Sequence, residues 1–380
     1  MNIDLNDAQQ VSALTATDIA NLNFKNFPSE TISAINLRAI SGLSVDSLST
    51  DQFAALTTDQ IGKLTYSQVA KITSKQLQVI TSDMLNAIDG TSLTGLSLGY
   101  VSADVIASFA SEKMPLLTTV QISALKSAQI LALFVAQLSK ISALQLSALK
   151  SDLLKLLTPE DIAAINVNAL GGLLKNISAL TSTQIQAFTT DQILVMGSAP
   201  IAALNSNQIS ALTYDQVQHF NAAQLSALKA GSIKYLPSDD IPAIHTGVLA
   251  SITTQNIAAL TVNQIQAFTS EQVAKLSSAQ MGALTSQQLA ALNPDQISQL
   301  SSGQISALKP ALLKYLTLNS VAAIQPAAII GLTTSSLANL ATSQLHMLTS
   351  DQVSQLNAVQ VASFKTCLLY TSDAADDTPC

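Results

Sequence analysis

Large apolar side chains return every eight residues from position 180 to position 364. Leu180, Phe188, Met196 and Leu204 begin one row that runs on to Leu356 and Phe364, and Ile185, Ile193 and Ile201 begin a second that runs on to Val361. Both rows are filled in twenty-three consecutive octads. A period this short overrides the expectation that 380 residues hold one or two ordinary domains, because each repeat contacts mainly its neighbours and the core is built by stacking. The chain reads as a repeat array.

Numbered from its first apolar residue, the unit is exemplified by residues 56–63, LTTDQIGK, and 64–71, LTYSQVAK. Position 1 is Leu, Ile, Phe or Met, position 2 usually Thr, Ser or Asn, position 5 often Gln, position 6 Ile, Val or Leu, and position 8 often Ala. A hydroxyl residue followed three places later by Gln is a capping box, with the hydroxyl accepting from the third helical N–H and the Gln side chain reaching back to the cap N–H. Thr158-Pro159-Glu160-Asp161 and Asn293-Pro294-Asp295-Gln296 add proline at the first helical position, where no N–H is needed. Asp59, Asp191, Asp215, Glu271 and Asp351 fall in the first turn, and Lys63, Lys71, Lys140 and Lys275 at the far end, as the helix dipole favours.

One helix cannot run through a cap every eight residues and keep its apolar stripe aligned, so the helices must be short and must turn. Burying two large apolar side chains does not offset the entropy of ordering eight residues. A lone octad is therefore unfolded, and stability has to come from stacking. A β-solenoid is the competing fold, but in strands positions 1 and 6 have opposite parity, and the Ala, Leu, Gln and Lys content favours helix. The expectation is an all-α solenoid of very short capped helices, one per eight-residue repeat.

The register is interrupted by five-residue steps from Leu22 to Phe27, Leu43 to Leu48 and Leu96 to Val101, and by a seven-residue step ending at Leu180. Each is expected to reorient the next helix. Position 5 is Gln in the octads beginning at 48 to 72, 117 to 141, 180 to 220 except 196, 260 to 300, and 340 to 356. The last two Gln-free blocks, 228–259 and 308–339, are offset by 80 residues, and Lys234-Tyr235-Leu236 recurs as Lys314-Tyr315-Leu316. A super-repeat of about 80 residues follows from these landmarks. Pro28, Pro115, Pro200, Pro237, Pro242, Pro310 and Pro326 lie in Gln-free octads, as do Gly171, Gly172, Gly231 and Gly247, so these blocks are expected to be bends, corners or hinges between regular Gln-rich walls.

Hydrophobic residues make up 48% of the chain and charged ones 11%, yet Thr, Ser, Gln or Asn recurs inside nearly every octad. No uncharged apolar run approaches the roughly 18 to 20 residues that span a bilayer, so no membrane span is expected. A net charge of −7, without a cationic stripe, argues against nucleic acid. The start, MNIDLNDAQQ, shows no basic region followed by an apolar stretch. The two cysteines, Cys367 and Cys380, lie outside the repeats. The stretch from Cys367, CLLYTSDAADDTPC, looks like a translated sequencing adapter, and residues 365–380 are read as a disordered, non-native tail. The division expected is a lead-in over 1–13, a single octad-repeat solenoid over 14–364 and that tail, in an open-ended fragment of something longer.

No catalytic, cofactor-binding or metal-binding residue is assigned, and no cofactor is expected. His219, His245 and His346 occupy octad positions 8, 2 and 7, so one repeat geometry cannot bring them to a common metal. The pairs Glu160-Asp161 and Asp239-Asp240 could work as general acids or bases, or sit in a first turn for its dipole. No Ser or Thr has a His and an acid at recurrent positions, and no Gly-rich phosphate loop is present. Tyr235 and Tyr315 recur at position 8, where they mark a binding face or pack beside the apolar rows. Asn176-Ile177-Ser178 is a lone glycosylation sequon.

Strings such as TSTQIQAFTTDQI and TSEQVAKLSSAQMGALTSQQLAALNPDQI resemble the short Leu-Thr-x-x-Gln-Ile-x-Ala arrays of large bacterial exoproteins, some labelled as haem-utilisation or adhesion proteins. The likeness spans residues 14–364 and implies a long secreted or cell-surface stalk. Haem binding does not carry over, because no recurrent His or Tyr ligand is visible. LTPEDIAAI, residues 157–165, is similar to the opening helix of transcription-activator-like effector repeats, but the period is eight and no base-reading pair follows. The function expected is a non-catalytic scaffold, extracellular or on a cell surface, that mediates adhesion or spacing and meets a protein or a surface polysaccharide. The alternative is binding to an ordered surface, ice or polysaccharide, through regularly spaced threonines. The binding residues, export route and oligomeric state are left open.

Overall fold

Within each unit the chain first extends and then coils. In the computed structural model, which describes residues 4–364, the cap Thr57 has φ −74° and ψ 159°, the helix Thr58–Gly62 follows, and Lys63 ends it at φ −98°, ψ −2°. Later units repeat the pattern, with Leu260, Phe268 and Leu284 extended between one helix and the next cap. The α-helices are four to six residues long, little more than one turn, and the described residues contain no strand. The all-α reading holds for a physical reason: coiling positions 3 to 7 swings positions 1 and 6 to the same side, which strand parity forbids.

The sequence caps form as hydrogen bonds. Thr57 Oγ1 accepts from Gln60 N at 3.2 Å, while Gln60 Oε1 accepts from Thr57 N at 2.9 Å. Pro159 and Pro294 open the helices Pro159–Ala164 and Pro294–Ser298. Both apolar rows are buried, as at Ile297, Leu300, Ile305 and Leu308. A capped helix also precedes residue 14: Ala8–Ser12 starts at Asp7 and buries Val11, so one further unit lies within the first 13 residues.

The chain divides into two compact units, Met1–Phe188 and Thr189–Cys380. In the first, Thr58–Gly62 packs on Ser82–Ala87 and Thr119–Ser123 on Ala143–Ala148, each three repeats on. In the second, Val262–Ala267 packs on Ser286–Ala291 and Ser278–Ala283 on Ser302–Ala307. Each unit is a solenoid in its own right. The sequence tail at 365–380, with Cys367 and Cys380, lies outside the described residues.

The Gln-free blocks differ from their neighbours in helix type. Residues 228–259 hold the 3₁₀ helices Ile233–Tyr235, Ser238–Ala243 and Thr246–Ser251, and 308–339 open with the 3₁₀ helix Pro310–Tyr315. Pro242, inside its helix, accounts for part of this, since a ring without an N–H cannot make the α-helical bond. Stacking nonetheless runs through: Thr246–Ser251 packs on Ala222–Ala227 and on Ser270–Ala274, again three repeats either way. Expected as corners or hinges, these segments keep the layer spacing and change the coil.

Candidate interaction surface and the glutamine brace

A helix of five residues cannot satisfy its own last carbonyls. The position 5 glutamines do it for the turn before. Gln280, 1% exposed, spends Oε1 on the cap N–H of Ser277 at 2.7 Å and Nε2 on the carbonyls of Leu249 at 2.8 Å and Ile252 at 2.7 Å. Gln264, Gln288, Gln296 and Gln304 repeat the arrangement, always 31 and 28 residues back. The 31-residue partner is position 6 of the fourth repeat back and the 28-residue partner position 1 of the third, so a turn closes after three to four repeats.

The frame shifts confirm that repeats, not residues, are counted. Where a five-residue step intervenes, the offsets fall to 28 and 25, as for Gln60 to Ile32 and Ile35 and for Gln121 to Leu93 and Leu96. Across the seven-residue step, Gln184 reaches Leu154 and Leu157, 30 and 27 back. A shortened repeat thus still fills one place in the turn.

Sequence reasoning found the local half of this arrangement and missed the long-range half. One signal could have revealed it: a capping box accepts Glu as readily as Gln, yet Glu never stands at position 5. Gln brings a donor that Glu lacks. Where Gln is absent, other donors reach the preceding turn: Ser92 to Leu64, Asn256 to Leu228, Ser320 to Leu292, and Lys113 Nζ to Asn86 and Ile88.

A second joint replaces the brace altogether in residues 35–42, 165–172 and 324–331, INLRAISG, INVNALGG and IQPAAIIG. Each has Ala at position 5 and Gly at position 8. A methyl group on Gly42, Gly172 or Gly331 would stand 1.9 to 2.1 Å from the carbonyl oxygen of Ala16, Ala143 or Ser302. With no long side chain between them, the turns close backbone on backbone.

These joints leave positions 3, 4 and 7 facing outward. All five described tyrosines are exposed, Tyr66, Tyr100, Tyr214, Tyr235 and Tyr315, whereas phenylalanines such as Phe53, Phe109, Phe188 and Phe268 are core. Tyr235 and Tyr315 therefore take the surface reading. The ammonium groups of Lys234 and Lys314 lie over their rings at 5.2 and 5.3 Å, and Lys126 lies over Tyr100 at 5.2 Å. Val120, Leu131, Phe134 and Leu144 add exposed apolar groups to the first unit.

The residues flagged for chemistry serve the backbone. His219 Nδ1 pairs with the carbonyl of Asp215, and His245 Nδ1 accepts from Gly247 N at 3.1 Å, capping its 3₁₀ helix. His346 ends its own helix, and among the described residues no His, Cys, Asp and Glu group is arranged to hold a metal. Asp161 caps, accepting from Thr158 N at 2.9 Å, while Glu160 is exposed. Asp240 stands at position 5 and is buried. Burial first, then the charge of Asp239, holds its carboxyl above the ordinary value. Asp18 lies below it, because the hydroxyl and then the N–H of Thr15 bond the carboxylate. Asn176 precedes the 3₁₀ helix Ile177–Ala179.

The cap threonines are engaged as well. Thr57, Thr73, Thr261 and Thr285 each accept a helix N–H at 3.2 to 3.3 Å. No described helix is long and apolar enough to cross a membrane.

Residues 36–66, 241–278, 249–286 and 273–310 match a family described as the ALTTAQ repeat. The string in that description puts Leu, Thr and Gln at positions 1, 2 and 5, the places taken here by core, cap and brace. The matches fall in both units, and over them the chain is similar to a repeat family. No curated protein matches it.

Proposed function

We propose that the chain is a non-catalytic repeat scaffold within a bacterial surface or secreted protein. It presents a broad, weakly charged face to another macromolecule and holds neighbouring segments apart. The carrying observation is the division of labour inside the octad. Positions 1 and 6 build the core, positions 2 and 5 join cap to helix and turn to turn, and positions 3, 4 and 7 are free to vary outward. The imidazoles and buried carboxyls support the non-catalytic reading, because they cap or pack their own repeats. The ALTTAQ likeness supports a scaffold built from repeats.

The reading is tested by immobilising the chain on beads and measuring retention on surfaces coated with extracellular proteins or cell-surface polysaccharides, against beads bearing a shuffled octad sequence. Antibody labelling of intact cells carrying the full gene tests the location. Selective retention and surface labelling are expected. Labelling confined to permeabilised cells, with no retention on any surface, overturns the proposal.

A further inference from the structure

The five-residue repeat at 96–100 opens a groove in the wall of the first unit. It is three residues shorter than its neighbours, and glycine lets the adjacent turns close upon it. A methyl group on Gly95 would lie 3.0 Å from the carbonyl oxygen of Tyr66 in the turn before, and one on Gly99 2.8 Å from that of Ala124 in the turn after. The missing side chains leave a cavity of about 600 Å³, within the roughly 300–1,000 Å³ of small-ligand sites.

Its lining is specific in kind. Tyr66 and Tyr100, more than half exposed, supply two ring faces, Val120 an apolar edge, and Ser97 a hydroxyl that does not cap its helix. Lys126 is the only charged lining residue, in a chain whose net charge is −7. The groove therefore favours an anion.

The floor does not suit an extended peptide. The N–H groups of Gly95, Leu96, Tyr100 and Val101 already donate to Ser92, Leu93, Ser97 and Leu98. The carbonyls of Leu96 and Leu98 already accept from Gln121 and Gln129. These groups are not open to main-chain pairing, the usual source of affinity for an added strand. Recognition falls to ring faces, a hydroxyl and an ammonium, which match the C–H face, hydroxyls and carboxylate of an acidic sugar ring. We infer that this groove binds a uronic-acid residue of a polysaccharide. The inference rests on the interaction-scaffold reading and gives one of its sites a ligand.

Because the chain lacks tryptophan, its emission comes from six tyrosines, of which Tyr66 and Tyr100 line the groove. The full chain is titrated with oligogalacturonate, with a neutral cello-oligosaccharide of equal length and with oligoglutamate, alongside calorimetry. Oligogalacturonate is expected to bind at least tenfold tighter than either control. Tyr100→Ala and Lys126→Gln should each lose at least tenfold with unchanged circular dichroism, while Tyr315→Ala in the second unit should lose nothing. Equal affinity for the neutral sugar or for oligoglutamate overturns the inference, as does full binding by both groove variants. Selective bead retention on protein surfaces without uronate binding would remove the sugar site and leave the scaffold reading standing.

Discussion

Gln288 donates through Nε2 to the carbonyl oxygen of Leu260 at 2.7 Å, two layers joined by one side chain. The same amide donates to Ile257 at 2.8 Å and accepts from Thr285 N at 2.9 Å. Three backbone groups that short helices leave orphaned are satisfied together, in a buried place where an unmade bond is costly. Apolar contact alone would let one turn slide over the next, whereas a directed amide fixes which repeat lies on which.

Replacing Gln288 separates its two roles. Gln288→Met keeps the volume but leaves Thr285 N and the Leu260 carbonyl unpaired, a loss of about 2–6 kcal/mol at roughly 1–3 kcal/mol per orphaned group. Gln288→Glu keeps the acceptor for Thr285 N and turns a carboxylate oxygen toward two carbonyls. Its folded-state pKa should rise, so the variant should lose stability as pH climbs from 4 to 7. Urea midpoints at both pH values, with amide exchange at Thr285, check this. A Met variant as stable as the parent would show that the brace contributes nothing.

The two adjacent glycines of Leu170–Leu174 should respond oppositely to alanine. Nothing lies within 4 Å of a methyl group placed on Gly171, so Gly171→Ala should stabilise by roughly 0.5–1 kcal/mol through helix propensity. A methyl group on Gly172 meets the Ala143 carbonyl oxygen at 1.9 Å, so Gly172→Ala must force the turns apart, at about 1–3 kcal/mol or more. Thermal melts of the two single variants decide the matter. Equal effects would mean that the close approach at Gly172 is not a joint.

What was legible followed the range of the interaction. The bond between Thr57 and Gln60 spans three residues, so its pattern survives in any short window, and the buried rows through Leu180 and Ile185 declare themselves by period. The bond from Gln60 to Ile35 does not, because its offset of 25 depends on how many repeats make a turn and on a five-residue step lying between. Gly171 and Gly172 look alike as letters. Only the neighbouring turn distinguishes the open position from the crowded one. The groove at Tyr66 and Tyr100 was invisible for the same reason, since its walls come from successive turns.

Asp240 takes the brace position without a donor when ionised. Its folded-state pKa is raised, by burial and then by Asp239. A carboxyl raised on folding adds stability at a pH below its unfolded value, and that contribution is lost as pH rises through the unfolded and then the folded value. Asp240→Asn is therefore expected to raise the melting temperature at pH 7 and to give a smaller gain at pH 3.5. Melts of both proteins across that range test it. A gain that grows on acidification would assign the effect to something other than this carboxyl.

The super-repeat predicts where the chain can be cut and rejoined. Excising residues 228–307 joins Ala227 to Leu308 and sets LKPALLKY where LKAGSIKY stood. Ser320, which donates to the Leu292 carbonyl 28 residues back at 3.2 Å, would then find Leu212 at the same offset and the same octad position. Gln344 would keep both of its partners, Leu313 and Leu316, because they travel with it. Excising 228–303 instead leaves four residues, QISA, between one repeat and the next, too few for a cap and a helix. The first deletion should preserve the helical signal per residue and a cooperative melt, and the second should lose both over the segment that follows the junction. The contrast is sharp because the two deletions differ by only four residues. If they behave alike, stacking tolerates any register, and the counted turn enforced by the glutamines is not what holds the array together.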